Sequence, residues 1–114
     1  MKYFLLRPSV VDDDIKKKYS YIATNIEKGG DKVHNPLDEK WELYMKVSYE
    51  KDRKAFLKFV DGDMPGFDEY CLLRDLISIT ASDYLITPMK RSSANENAQF
   101  EVALASHLII IQFE

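Results

Sequence analysis

The sequence predicts an α/β protein with a small parallel sheet of about four strands flanked by helices. Three observations lead to this fold class: short apolar runs of strand length end close to prolines, longer amphipathic segments lie between them, and the two kinds alternate. Because parallel strands need a crossover connection, usually a helix, this order favours a parallel sheet over hairpins. At 114 residues we expect one domain covering residues 1–114, since a single core closes at roughly 100–150 residues.

The first third of the chain predicts a strand–helix–strand unit. Tyr3–Leu6 and Lys32–Asn35 are apolar or mixed runs that end next to a proline. Between them, apolar residues recur at helical steps of three and four, which defines one stripe: Val11, Ile15, Tyr19, Ile22 and Ile26. Asp12–Asp14 place negative charge where a helix N-terminus favours it, and Gly29-Gly30 supply a left-handed stop.

The middle of the chain predicts two helices and the turn between them. Helical spacing extends over Asp38–Val60, but the polar stretch Ser48–Lys54 leaves a break within this helix open. The turn residues Asp61–Gly66 follow. Asp68 is a candidate N-cap for the third helix. Four of its apolar residues are predicted to face inward: Tyr70, Leu73, Leu76 and Ile77.

The last third predicts a strand, a polar loop, a helix and a final strand. These segments are Tyr84–Thr87, Lys90–Asn97, Phe100–Ser106 and Leu108–Phe113. Asn95 or Asn97 is a credible N-cap for the helix. An alternative reads Gln99–Phe113 as one long strand, because its first apolar residues also alternate.

Composition excludes several classes of function. Sixteen Lys and Arg against nineteen Asp and Glu give a net charge of −3, which lacks the basic surface that binding to a nucleic-acid polymer requires. The longest apolar run, Leu108–Ile111, is far too short to cross a membrane. Cys71 is the single cysteine and cannot form an internal disulfide, which suits a reducing cytoplasm. We expect a cytoplasmic protein without a membrane or nucleic-acid partner.

Polar residues follow the predicted strands, where open parallel sheets bind ligands. Arg7 follows the first strand, His34 and Asn35 end the second, and Lys90–Glu101 follow the third. Glu101 could act as a nucleophile or base near the start of the last helix, although a solvated acid is the simpler interpretation. No histidine lies at metal-ligand spacing from another donor, and no phosphate-binding glycine motif is present. We therefore expect neither a metal nor another cofactor.

Two segments, Arg74–Ile86 and Ser92–Ala103, resemble the core of the nucleoside 2-deoxyribosyltransferase family. Asp75 matches the family's helix aspartate, Asp83 the aspartate that opens a strand, and Glu101 the nucleophilic glutamate. The spacings between these three residues are similar to those of the family. The resemblance implies a flavodoxin-like sheet and chemistry at the N-glycosidic bond of a nucleoside or nucleotide.

The implied mechanism is double displacement. Glu101 would attack the anomeric carbon, Tyr3 would orient its carboxylate, and Asp75 would protonate the departing base. Water or a second base would then complete hydrolysis or transfer. Asn95 corresponds to the loop acid that binds ribosyl hydroxyls in the family.

Three further features bear on partners. Arg7 stands where the family has small residues, and together with Asn35 it is a candidate substrate-binding residue. Because Arg7 and the uncharged Asn95 depart from the family pattern, the alternative is a non-catalytic protein on a similar scaffold. It would bind a nucleotide-like ligand or a protein partner, as immunity and inhibitor proteins do.

The apolar strand Leu108–Phe113 predicts a homodimer that buries it.

Overall fold

The structure is a computed structural model that describes residues 1–59 and 65–114. Its elements in chain order are β1 (Lys2–Leu5), α1 (Asp13–Lys28), β2 (Lys32–His34), α2 (Glu39–Phe59), α3 (Phe67–Thr80), β3 (Tyr84–Pro88), α4 (Ala94–Ala105) and β4 (Ile109–Phe113). The strands form one sheet in the order β2-β1-β3-β4, and each neighbouring pair is parallel. The predicted fold class, a small parallel sheet flanked by helices, is confirmed.

The central strand β1 supplies core residues to both faces of the sheet, because successive side chains of a strand point in opposite directions. Phe4 and Leu6 pack with residues of α3 and α4, whereas Leu5 packs with Tyr19 of α1. A third cluster joins α2 to α3 through Met45, Tyr70 and Cys71. The sheet therefore lies between α1 on one side and the pair α3 and α4 on the other.

Helix α1 follows the predicted apolar stripe except at Val11, which precedes the helix and is 46% exposed. Tyr19 is buried, and Ile15, Ile22 and Ile26 pack against the same cluster. The helix begins after Asp12, whose side chain accepts a hydrogen bond from the Ile15 amide at 2.8 Å. The end of the helix is followed by a positive φ of 87° at the second glycine of the predicted stop.

Helix α2 is continuous from Glu39 to Phe59, so the break left open within it does not occur. Good helix formers fill its polar middle, and neither glycine nor proline interrupts it. Exposed ion pairs at helical spacing, such as Lys46 with Glu42 at 3.5 Å, lie along its surface. Val60 and most of the predicted turn that follows lie outside the described residues.

Helix α3 buries only part of the predicted inward face: Tyr70 is buried and Leu76 packs against the core, as predicted. Leu73 and Ile77 are 51% and 64% exposed, so their predicted inward orientation is wrong. The buried residues are Tyr70, Cys71, Asp75 and Ile79. The helix begins at Phe67 with Gly66 as its N-cap, two residues earlier than an Asp68 cap would allow. The apolar pattern does not identify the whole buried face, because that face includes a charged residue, Asp75.

Helix α4 begins six residues earlier than predicted, at Ala94. Its N-cap is Ser93, whose Oγ accepts a hydrogen bond from the Glu96 amide at 3.1 Å, so neither candidate asparagine caps it. A Ser-x-x-Glu sequence of this kind favours a helix start. The alternative of one long strand from Gln99 is therefore wrong. The final strand is present as β4 and pairs in parallel with β3.

Strand β4 lies at an edge of the sheet and exposes apolar side chains. Ile109 is 58% and Ile111 is 40% exposed. The homodimer expected to bury this strand stays a prediction. Within the described ranges, no helix is both long enough and apolar enough to cross a lipid bilayer.

Candidate functional site

A cavity of about 580 Å³ opens at the carboxyl ends of the strands, beside the reversal of strand order between β1 and β3. This is the position at which open parallel sheets bind ligands. Two cations line it, Arg7 and Lys16. Its three acids come from α2 and α3: Glu39, Glu42 and Asp68. Two amides from α4, Asn95 and Gln99, and apolar residues including Leu37, Met45 and Phe67 complete this mixed lining.

A buried ion pair lies behind the cavity wall. Arg7 lies two residues after the end of β1, and its Nε donates to Oδ2 of Asp75 while Nη2 donates to Oδ1 at 3.3 Å. Asp75 is fully buried and does not line the cavity, whereas the Arg7 side chain remains partly exposed. Burial raises the pKa of Asp75, and the hydrogen bonds and charge of Arg7 act in the opposite direction.

His34 is buried on the other side of the same aspartate. Its Nε2 lies 3.8 Å from Oδ1 of Asp75, which is too far for a hydrogen bond. Its ring stacks on Phe4 at 4.5 Å and contacts the edge of Trp41 at 4.2 Å. Burial lowers the pKa of His34 to about 3, with the charges of Arg7 and Lys2 adding to the effect. The imidazole is therefore neutral near pH 7 and packs as an aromatic ring.

Gln99 fixes the backbone of Arg7 to α4. Its Oε1 accepts a hydrogen bond from the Arg7 amide at 2.8 Å, and its Nε2 donates to the Arg7 carbonyl at 3.1 Å. Gln99 is fully buried, so both of these contacts are shielded from water. Sequence reasoning missed this residue because it placed the start of the helix after Gln99. The Ser93-x-x-Glu96 spacing was the signal that could have corrected the boundary.

Two of the predicted substrate-binding residues lie in the cavity and one does not. Arg7 and Asn95 both line it. Asn35 instead closes the turn after β2, where its Oδ1 accepts a hydrogen bond from the Leu37 amide at 3.0 Å. Asn35 therefore affects the cavity indirectly, through the position of Leu37 in its apolar lining.

The three predicted catalytic residues are not brought together. Tyr3 packs on the α1 face of the sheet, where its ring stacks on that of Tyr84 at 4.5 Å. Asp75 belongs to α3, on the opposite face. Glu101 is exposed and does not line the cavity. Since α4 already includes Gln99, a position two residues later is rotated by about 200° around the helix axis and faces outward.

The remaining chemistry-bearing side chain is Cys71, which lines the cavity from α3. Burial raises the pKa of its thiol, so the nucleophilic thiolate is disfavoured near pH 7. In the parts of the chain that the structure describes, no three His, Cys, Asp or Glu side chains are placed to hold a metal ion. The cavity is therefore suited to noncovalent contacts by amides, carboxylates and cations.

No family model matches the chain, and neither a curated protein nor a solved structure matches it. The resemblance to nucleoside 2-deoxyribosyltransferases consequently rests on the residues quoted from the sequence. The functional conclusion depends on the chemistry of the cavity itself.

Proposed function

We propose that the chain binds a nucleoside or nucleotide in the cavity at the carboxyl ends of the strands, without forming a covalent bond to it. The observation that carries this proposal is the mixed lining of one crevice at the reversal of strand order. Its volume of about 580 Å³ lies within the range of small-molecule sites, which is roughly 300–1,000 Å³. Such sites combine an apolar wall with a few polar groups that orient the ligand.

The lining offers a contact for each part of a nucleoside. Leu37, Met45 and Phe67 supply apolar surface for a base. The carboxylates of Glu39 and Glu42 accept hydrogen bonds, which suits sugar hydroxyls and exocyclic amino groups. The side-chain amide of Asn95 can both donate and accept. A ligand with an aromatic base and a hydroxylated sugar would use all of these groups.

Noncovalent binding is favoured over glycosyl transfer by the placement of the carboxylates. A nucleophile has to reach within about 3–3.5 Å of the anomeric carbon, and Glu101 lies outside the cavity on an exposed face. A general acid has to contact the leaving base, yet Asp75 is fully buried and paired with Arg7. These positions support the alternative of a non-catalytic protein that binds the same class of ligand, a nucleoside or nucleotide.

Binding can be measured by isothermal titration calorimetry with the four deoxynucleosides and their 5′-monophosphates. At least one should bind, and Asn95→Trp, which places a bulky ring in the cavity, should weaken that affinity at least about tenfold. Asn97→Trp is the matched control, because Asn97 is an exposed residue of the same helix outside the cavity. No binding by any compound, or equal loss in both variants, would overturn the proposal.

Catalysis is tested separately by following free base from the same compounds. We expect no base release above the rate in buffer. Release that disappears in Glu101→Ala would contradict the noncovalent proposal and restore the glutamate nucleophile of the family resemblance. Glu96 is unsuitable for comparison since it is buried in the helix cap, so Glu114, an exposed acid outside the cavity, provides the control as Glu114→Ala.

A further inference from the structure

The two cations of the cavity come from adjacent segments of the chain. Arg7 lies two residues after the end of β1, and Lys16 lies in the first turn of α1. Lys16 is exposed, and no carboxylate in the described parts of the chain forms a salt bridge with it. The lining of the cavity therefore includes two cationic side chains, of which only Arg7 forms a salt bridge within the described residues.

Asp75 holds the guanidinium of Arg7 by one edge only. The Nε and Nη2 atoms donate to the two carboxylate oxygens, which is a side-on arrangement. A guanidinium has five N–H donors in a rigid plane, so its other edge, formed by Nη1 and Nη2, keeps donors that Asp75 does not use. Asp75 is fully buried and Arg7 is the partner that lines the cavity, so the unused donors belong to a side chain that a ligand in the cavity can reach.

We infer that the ligand carries one phosphate monoester, which binds to the free edge of Arg7 and to Lys16. Planar guanidinium forks match the spacing of two phosphate oxygens, and a lysine adds a point charge beside them. Asp75 is then a positioning residue that fixes the fork without touching the ligand. This inference rests on the proposed function and adds the group that the ligand presents to the cations.

The acids of the cavity limit how much negative charge the ligand can carry. Glu39, Glu42 and Asp68 line the same crevice, and their carboxylates repel additional anions. One monoester satisfies Arg7 and Lys16, whereas a triphosphate would bring further charge close to the three carboxylates. The charge distribution therefore favours a nucleoside monophosphate over both the uncharged nucleoside and the triphosphate.

Calorimetric titration of each deoxynucleoside, its 5′-monophosphate and its 5′-triphosphate tests the inference at constant ionic strength. The monophosphate should bind at least about tenfold more tightly than the nucleoside and more tightly than the triphosphate. Inorganic phosphate is included to separate a nucleotide site from a site for free phosphate, and it should bind more weakly than the monophosphate.

Lys16→Gln should remove most of the advantage of the monophosphate over the nucleoside. Lys17→Gln is the matched control, since Lys17 is the neighbouring exposed lysine of α1 and does not line the cavity. Equal binding of nucleoside and monophosphate, tighter binding of triphosphate, or the same effect in both lysine variants would overturn the inference while leaving nucleoside binding intact. Failure of every nucleoside and nucleotide to bind would instead overturn the proposed function.

Discussion

The carboxyl end of the sheet and its β4 edge depart from ordinary burial in opposite ways. At the carboxyl end, polar groups are buried and paired, with Asp75 and Gln99 fully enclosed and bonded to Arg7. At the β4 edge, apolar groups are exposed, with Ile109 and Ile111 at 58% and 40%. Buried polar residues and exposed apolar ones are the informative exceptions on a protein, because each costs free energy when left without a partner.

The two regions differ in where that partner comes from. The polar residues of the carboxyl end satisfy most of their hydrogen bonds within the chain, and Asp75 leaves some donors of Arg7, a residue that lines the cavity, without a carboxylate partner. The isoleucines of β4 have neighbours from β3 on one side only. The proposed ligand would complement the first region, and the predicted second copy of the chain would complement the second.

The largest expected effect is the loss of the buried ion pair. Arg7→Ala leaves the fully buried Asp75 carboxylate without its partner and should destabilise the fold by about 3–5 kcal/mol. Urea denaturation at pH 7 measures this change. The double variant Arg7→Leu with Asp75→Leu should recover most of the stability, because no uncompensated charge remains. A double variant as unstable as Arg7→Ala would show that the charge is not the cause.

The next effect compares two positions of α4 that are two residues apart. Gln99→Ala leaves the Arg7 amide and carbonyl without their partners and should cost about 1–3 kcal/mol. Glu101→Ala removes an exposed side chain and should change stability by less than about 0.5 kcal/mol. Thermal and urea denaturation of both variants give the comparison. Equal losses would contradict the assignment of Gln99 to the inner face of the helix.

The third prediction concerns the pH dependence of stability that His34 contributes. Its folded-state pKa of about 3 lies below the ordinary 6.5, so the unfolded chain binds a proton that the folded chain does not. His34 therefore adds no pH dependence above pH 6.5. As the pH falls from about 6.5 towards 3, stability should decrease by up to about 1.4 kcal/mol per unit from this residue.

His34→Phe keeps an aromatic ring between Phe4 and Trp41 and should flatten the acid side of the stability curve. The matched control is His107→Asn, because His107 is exposed and asparagine tolerates its positive φ of 62°. Asp75 titrates in all of these proteins, so the difference between curves isolates the histidine. Urea denaturation at intervals between pH 4 and pH 8 measures the free energy of unfolding. Parallel curves of this free energy against pH for wild type and His34→Phe would refute the prediction.

The smallest effect on the stability of a single copy is expected at the β4 edge. Ile111→Lys places a charge on an exposed position of an edge strand, where lysine is well tolerated, and should cost less than about 0.5 kcal/mol. The same change should abolish the predicted homodimer, which sedimentation velocity detects. Leu73→Lys, at an exposed apolar position of α3, is the control. A monomeric wild-type protein would contradict the dimer prediction.

Local patterns were sufficient to predict most of the elements. The stripe of α1 and the apolar runs of the strands lead to the observed order, because helical and strand periods differ. The errors occur where a buried residue is polar. The apolar pattern of α3 correctly indicates Tyr70 and Leu76 but also points to Leu73 and Ile77, whereas the structure buries Asp75. The start of α4 was placed at Phe100 because the segment before it looks like a polar loop.

The sequence was sufficient to predict where the candidate site lies but not all of the residues that form it. The rule that ligands bind at the carboxyl ends of parallel strands leads to Arg7 and Asn95 without any coordinates. Gln99 and Lys16 required the structure, since their role depends on which face of a helix meets a strand end. Tyr3 and Asp75 lie on opposite faces of the sheet for a related reason. Successive residues of a strand point to opposite faces, so a change of one position decides which helices a strand residue meets.

Composition and periodicity thus establish a small parallel α/β domain, its approximate element order and the edge at which a ligand would bind. Packing establishes which polar groups are buried together. A fully buried carboxylate is stable only when a partner from a distant part of the chain reaches it, as Arg7 reaches Asp75 across 68 positions. Local sequence patterns describe neighbours along a helix or strand, so a pairing over that distance is settled only when the sheet and its helices are assembled.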